Sequence, residues 1–173
     1  FVPSYSSELN RSKKNADLFA NNIFNILLLS LLAIIFIIEI FMPLFVALIA
    51  PGFKENSEKL EIAINLTRIT FPFLLFVSLS SFFGGILNSN NKFASVAAAP
   101  IILNIILISS LIISYFLELD FSKQLSYGVT LAGLIQLLFL VYVTLKYYKP
   151  DLVLNLKLSS NCLLYTSPSP RDV

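Results

Sequence analysis

Four long apolar runs, separated by short polar links, organise the chain. They cover about residues 23–49, 69–87, 94–117 and 125–145. A bilayer core about 30 Å thick needs about 20 apolar residues per helical crossing. Each run supplies roughly that number or more. Any one run would also suit a buried soluble helix, but four together leave no polar face to give to water. No alternation of period two persists, so membrane strands are not predicted. The pattern therefore predicts an all-α, polytopic membrane helical bundle with four crossings.

The interruptions carry the next layer of information. Glu39 and Pro43 fall inside the first run, and Pro43 lacks a backbone N–H, which predicts a kink there. Ala50-Pro51-Gly52-Phe53 reads as a turn. Lys54 to Glu61 reads as a charged loop or an amphipathic helix start. Phe71 to Ile105 reads as a membrane hairpin, turning at Asn88-Ser89-Asn90-Asn91-Lys92. Asn suits that turn, because it tolerates left-handed backbone and caps helix N-termini. Glu118, Asp120 and Lys123 form the last link.

Composition agrees with a membrane protein. The chain is 57% hydrophobic and 13% charged, against about 25% charged in a soluble domain. Its net charge of +2 is too small and too scattered to predict a nucleic-acid partner. There is no His, so a His-based triad and an H-E-x-x-H metal site are excluded within these residues. No phosphate-binding G-x-x-x-x-G-K-[ST] loop exists. The chain predicts no catalytic residue, no metal and no cofactor. Coupling to an ion or to the membrane potential is left open.

Lys and Arg asymmetry sets the orientation. The amino-terminal segment, the Lys92 turn and the residues after Leu145 carry the basic excess. The Lys54–Glu61 and Glu118–Lys123 links are net acidic. Both ends and the Lys92 turn are thus predicted to be cytoplasmic.

Candidate site residues follow from polar or breaking positions in apolar sequence. Glu39 is an intramembrane carboxylate and so a transport candidate, or else a residue of the outer interface. Arg68 stands where the second run enters the membrane, able to meet an anionic headgroup or to snorkel. Ser80, Ser81, Gly84 and Gly85, like Gly128, Ala132 and Gly133, read as close-packing small residues. Pro72 and Pro100 permit bends. Asn104 and Gln136 bond across helices or line a wet cavity.

The chain opens on Phe1, and its only Met is Met42, so a start inside a longer protein is expected. Cys162 to Asp172 resembles the in-frame translation of a transposase-type sequencing adapter; a genomic copy encoding these residues would remove that reading. The predicted organisation is a cytoplasmic basic segment (1–15), four helices (16–149), a cytoplasmic linker (150–161) and a non-native tail (162–173).

The ordered set Phe1-Val2-Pro3, Ala50-Pro51-Gly52-Phe53, Arg68-Ile69-Thr70-Phe71-Pro72, Gly85-Ile86-Leu87-Asn88-Ser89, Lys92-Phe93, Ala99-Pro100, Leu103-Asn104-Ile105, Gly128-Val129 and Ala132–Leu137 resembles the MurJ (MviN) family of lipid II flippases. That family lies within the multidrug/oligosaccharidyl-lipid/polysaccharide exporter superfamily. The resemblance covers about residues 1–149 and implies a 14-helix transporter of two bundles, of which this chain resembles helices three to six. It implies transfer of lipid II, an undecaprenyl-pyrophosphate-linked disaccharide peptide, across the bacterial inner membrane by alternating access. The implied partners are that lipid, membrane lipids and the rest of the same polypeptide. Another exporter of the superfamily, or a non-transporting assembly subunit, is the alternative.

The resemblance also sorts the candidates. Central pyrophosphate-binding arginines of the family fall mainly outside this chain. Glu39 matches no acid of the family, and Lys92 stands where Arg is usual. Arg68, Lys92 and Glu39 remain the substrate-binding candidates. Pro43, Pro51, Gly52, Pro72, Gly84, Gly85, Asn88, Pro100, Asn104, Gly133 and Gln136 are the structural or hinge candidates.

Overall fold

Helix α1 spans Val2–Arg11, α2 Lys13–Ile40, α3 Met42–Ile49, α4 Ser57–Thr70, α5 Phe73–Ser89, α6 Phe93–Phe116 and α7 Phe121–Tyr147, with a 3-10 turn at Pro51–Glu55. This computed structural model describes residues 1–148 and Pro150. The expectations for Lys149, the rest of the 150–161 linker and the tail from Cys162 lie outside the described residues. Four stretches are long and apolar enough to cross a membrane: α2, α4 with α5, α6 and α7. The all-α, polytopic membrane fold read from the apolar runs holds.

The helix boundaries refine that reading. Helix α2 begins at Lys13, well before its apolar run, because the Ser12 hydroxyl accepts the Asn15 N–H and caps it. Ala16 and Ala20 then pack inward with no exposure. The break in the first run falls at Phe41, with φ −96° and ψ 21°, rather than at Pro43. Pro43 lies in the first turn of α3, where a missing N–H costs no intrahelical bond. The second crossing starts far before Ile69. Asn56 caps α4 by accepting the Lys59 N–H at 3.1 Å, so most of the charged link is helix.

The hairpin turn is a C-terminal cap of Schellman form. Asn91 adopts φ 59°, the Lys92 N–H reaches back to the Leu87 carbonyl at 2.9 Å, and the Asn91 N–H reaches Asn88 at 3.1 Å. Left-handed backbone was expected of this Asn run, and Asn91 supplies it. The other half of that expectation fails. Helix α6 starts after Lys92 with no side-chain cap, because the tight turn leaves no Asn at the capping position. The α6–α7 link repeats the form with Glu118 at φ 50° and the Leu119 N–H on Ser114 at 3.0 Å.

Helix α7 is the axis of the bundle, packed against α6, α5 and α4. Close approach explains its small residues. A Cβ on Gly128 would lie 2.9 Å from the Ser110 Cβ of α6, and one on Gly133 3.2 Å from the Phe76 Cβ of α5. The core itself sits at the Lys92 end. There Tyr5, Ala16, Ala20, Phe82, Phe83, Ile86, Leu87, Ala99, Leu140 and Val143 form one buried cluster.

Candidate functional site

The junction between α4 and α5 is the most distinctive feature of the transmembrane region. Phe71 and Pro72 keep right-handed helical backbone, so the span bends without ending. The turn tightens instead: Leu74 and Leu75 donate to the Phe71 and Pro72 carbonyls, each at 3.1 Å and three residues back. Pro72 has no N–H, which leaves carbonyls of the preceding turn short of donors. One of these, at Ile69, accepts a hydrogen bond from the Thr130 hydroxyl of α7. The Thr70 hydroxyl donates to Leu66 and Thr67, both at 3.1 Å. Gly133 admits the Phe73 ring one turn along α7. Phe45 of α3 meets Phe71 edge to face, with centroids 5.6 Å apart.

The three substrate-binding candidates do not share a site. Lys92 is exposed at the hairpin turn, its Nζ 4.5 Å from the centre of the Tyr147 ring. Lys146 flanks the same ring at 5.5 Å. Lys13 stands 5.3 Å from the Tyr148 ring. These cations and phenols form a belt at one end of the bundle. Arg68 is exposed on α4, about 31 Å from Ser89 along the helical path at 1.5 Å per residue. That distance is about the thickness of a bilayer core. The sole ion pair among the described residues is Arg11–Glu8, at 3.0 Å, so no carboxylate neutralises Arg68 there.

Glu39 lies about 39 Å along α2 from Lys13 by the same rise. It is half-buried, and its Oε1 is buried with no partner among the described residues. It stands beside the break at Phe41, at the end of α2 far from the Lys92 turn.

Of the structural candidates, Pro72, Gly85 and Gly133 sit at contacts. A Cβ on Gly85 would lie 2.7 Å from the Phe1 ring. Gly84 is looser, with Val96 at 3.4 Å. Gln136 is buried with an unpartnered Oε1. Pro51 opens the 3-10 turn, Pro43 opens α3, and Gly52 has open space around it. Asn88 accepts within the hairpin cap. Pro100 and Asn104 are exposed on α6.

Two features escaped the sequence reading. Thr130 was one: the signal was its place one turn before Gly133 on the helix that carries the small residues. The other is a polar knot at the Lys92 end. Tyr5 is fully buried there, with its ring 6.2 Å from Tyr148. Burial pushes the Tyr5 phenol well above the ordinary range. The neighbouring Tyr148 phenol and Asp17 carboxylate push the same way, and Asn90 opposes them. Burial likewise raises Tyr148. The arrangement offers positions and bends.

Comparison with known proteins adds the family. A model described as "Lipid II flippase MurJ" matches residues 1–159. A "Probable lipid II flippase MurJ" of Rickettsia prowazekii is 43% identical over 141 residues, covering 81% of this chain and 27% of the relative. One of Rhizobium tropici is 35% identical over 152 residues, covering 85% and 28%. One of Buchnera aphidicola (subspecies Acyrthosiphon pisum) is 37% identical over 145 residues, covering 80% and 27%. The chain thus spans about a quarter of the length of the relatives it matches.

Proposed function

Because this chain belongs to the MurJ lipid II flippase family, we propose that the protein carries lipid-linked peptidoglycan precursor from the cytoplasmic to the outer leaflet of the bacterial inner membrane, by alternating access. The family match over residues 1–159 carries this reading. The physics suits it. A headgroup of sugars and pyrophosphate cannot cross about 30 Å of hydrocarbon unaided, so a path must open to each side in turn. Broken helices and close small-residue contacts suit such rocking. The Pro72 bend, the Phe41 break and the Gly128 and Gly133 contacts are of that kind.

On this reading both described ends and the Lys92 turn face the cytoplasm. Arg11, Lys13, Lys14, Lys92 and Lys146 cluster there, as basic residues do on the inner side. Glu58, Glu61, Glu118 and Asp120 mark the other side. Lys92 then meets anionic headgroups on the entry side and Arg68 on the exit side, with Glu39 at the exit interface. The remaining candidates pack or bend the bundle, and the central grip on pyrophosphate comes from helices beyond these residues. The test is depletion of the complete protein, followed by measurement of lipid II orientation. Accumulation in the inner leaflet is expected; an unchanged distribution refutes the reading.

A further inference from the structure

Helices α5, α6 and α7 meet around two polar side chains, Ser80 and Gln136. The glycine contacts fix the directions. Gly133 of α7 meets Phe76 of α5, Gly84 of α5 meets Val96 of α6, and Gly128 of α7 meets Ser110 of α6. Ser80 falls one turn after Phe76 and one turn before Gly84, so it projects between α7 and α6. At 3.6 residues per turn, Gln136 stands about 60° from Gly133 and about 80° from Gly128, on opposite sides. It therefore projects between α5 and α6. The two also share a level. Lys92 against Tyr147 sets the ends of α5 and α7 side by side. From those ends Ser80 is about 14 Å back from Ser89, and Gln136 about 17 Å back from Tyr147, at 1.5 Å per residue.

Both groups are enclosed and unsatisfied. Ser80 is 1% exposed and Gln136 9%. The Ser80 Oγ and the Gln136 Oε1 are buried with no hydrogen-bond partner among the described residues. Ser80 breaks the habit of its own helix, where Ser81 and Ser89 each donate to the carbonyl four residues back at 2.9 Å. A buried hydroxyl or amide without a partner is costly. Internal water relieves such groups, and needs two to four polar partners to do so. A hydroxyl donates and accepts, and an amide oxygen accepts. One water can thus accept from Ser80 and donate to Gln136. The neighbouring Gly84, Ala99 and Ala132 are small and buried, which suits a molecule of that size. Two neutral oxygens are far fewer than a hard cation takes.

We propose that an internal water binds between the Ser80 hydroxyl and the Gln136 amide oxygen and ties α5 to α7. The site lies about 9 Å along α7 from Thr130, as a second polar tie between α7 and the bent α4–α5 span. It goes beyond the transport reading and does not depend on the substrate.

The test is solid-state NMR of the full-length, isotope-labelled protein in its native lipids, reading magnetisation transfer from water. Transfer to the Gln136 side-chain amide is expected to build up several-fold faster than to the Leu79 backbone amide. Equal build-up would mean a dry contact and overturn the proposal. Strong broadening of the Gln136 signal by a soluble gadolinium chelate would mean an open aqueous channel and overturn it as well. Thermal unfolding of Ser80→Ala, Gln136→Leu and the double variant reads the tie itself. Each single change should lower the melting midpoint, and the double should lie no lower than the worse single. A raised midpoint in either single variant would mean that the group it removes was unpaired, and the proposal would fall. The NMR arm uses the unsubstituted protein, so it decides the matter if a variant fails to fold.

Discussion

The two ends of the bundle are held together by different means. At the Lys92 end, α1 folds back on α2 and α5, and aromatic rings fill the space. Phe1 lies 5.0 Å from Phe82, Phe82 5.3 Å from Phe83 and Phe24 5.6 Å from Phe82, centroid to centroid. Ala16 and Ala20 let α2 come close. At the opposite end α4 has no fully buried residue. Both helix breaks, at Phe41 and at Phe71–Pro72, lie toward that end. Contact there includes the Thr130 hydroxyl, the Gly128 and Gly133 approaches, the Phe45–Phe71 ring pair and the buried Met42. Dense aromatic packing resists small displacements. A proline turn held by one cross-helix hydrogen bond yields more readily. The difference assigns an anchor to one end and a compliant joint to the other.

The strongest way to break the comparison is to empty the anchor. Tyr5→Ala removes a fully buried ring and should cost about 3 kcal/mol, as large-to-small core changes do. Thermal unfolding of the complete protein in detergent checks this. A change under about 1 kcal/mol would show that α1 is not part of the core. Alkaline pH probes the same residue. The native Tyr5 pKa lies above the unfolded value of about 10. Its contribution is therefore complete below pH 10 and declines as pH rises toward the native value. Tyr5→Phe should remove that decline.

Next in size is the joint. Gly133→Ala would put a Cβ 3.2 Å from the Phe76 Cβ and against the Phe73 ring. Overpacking of this kind costs about 2 kcal/mol. Gly84→Ala meets only Val96, at 3.4 Å. It should be neutral, or stabilising by up to about 1 kcal/mol through helix propensity. Equal effects from the two substitutions would mean that packing is uniform across the bundle.

The anchor and the joint differ in how far the sequence reveals them. Local composition carries the four crossings, the Pro72 bend and the Asn turn, because each depends on residues within a few positions. The placement of the left-handed residue at Asn91 depends on where α5 stops, and helix ends are set by hydrogen bonds that composition does not encode. The break at Phe41 was misplaced to Pro43 for a related reason: proline ends the preceding helix and begins the next. Burial of Tyr5 in a segment read as a polar, basic stretch is a tertiary effect. Its partners Phe82, Phe83 and Tyr148 are distant in sequence. The candidate site was legible as residue types and not as a site, since Lys92 stands at the other end of the bundle from Arg68 and Glu39.

The smallest and most specific effect belongs to Thr130. Its hydroxyl reaches the Ile69 backbone carbonyl of α4. Thr130→Val keeps the shape and removes the donor, leaving the Ile69 carbonyl without a partner in apolar surroundings. Cross-helix hydrogen bonds in membranes average about 0.6 kcal/mol and reach about 1.7, so the expected loss is about 1 kcal/mol. Stability alone does not separate a joint from an anchor, because either would weaken. Amide exchange does. The variant should speed exchange at Phe73, Leu74 and Leu75, in the tightened turn, and leave Ile86 and Leu87 at their original rates, since aromatic packing at the far end is untouched. Thr130→Ser, which keeps the donor, should restore most of the protection. Equal acceleration at both ends would show that α5 moves as one rigid rod, and the contrast between anchor and joint would then collapse.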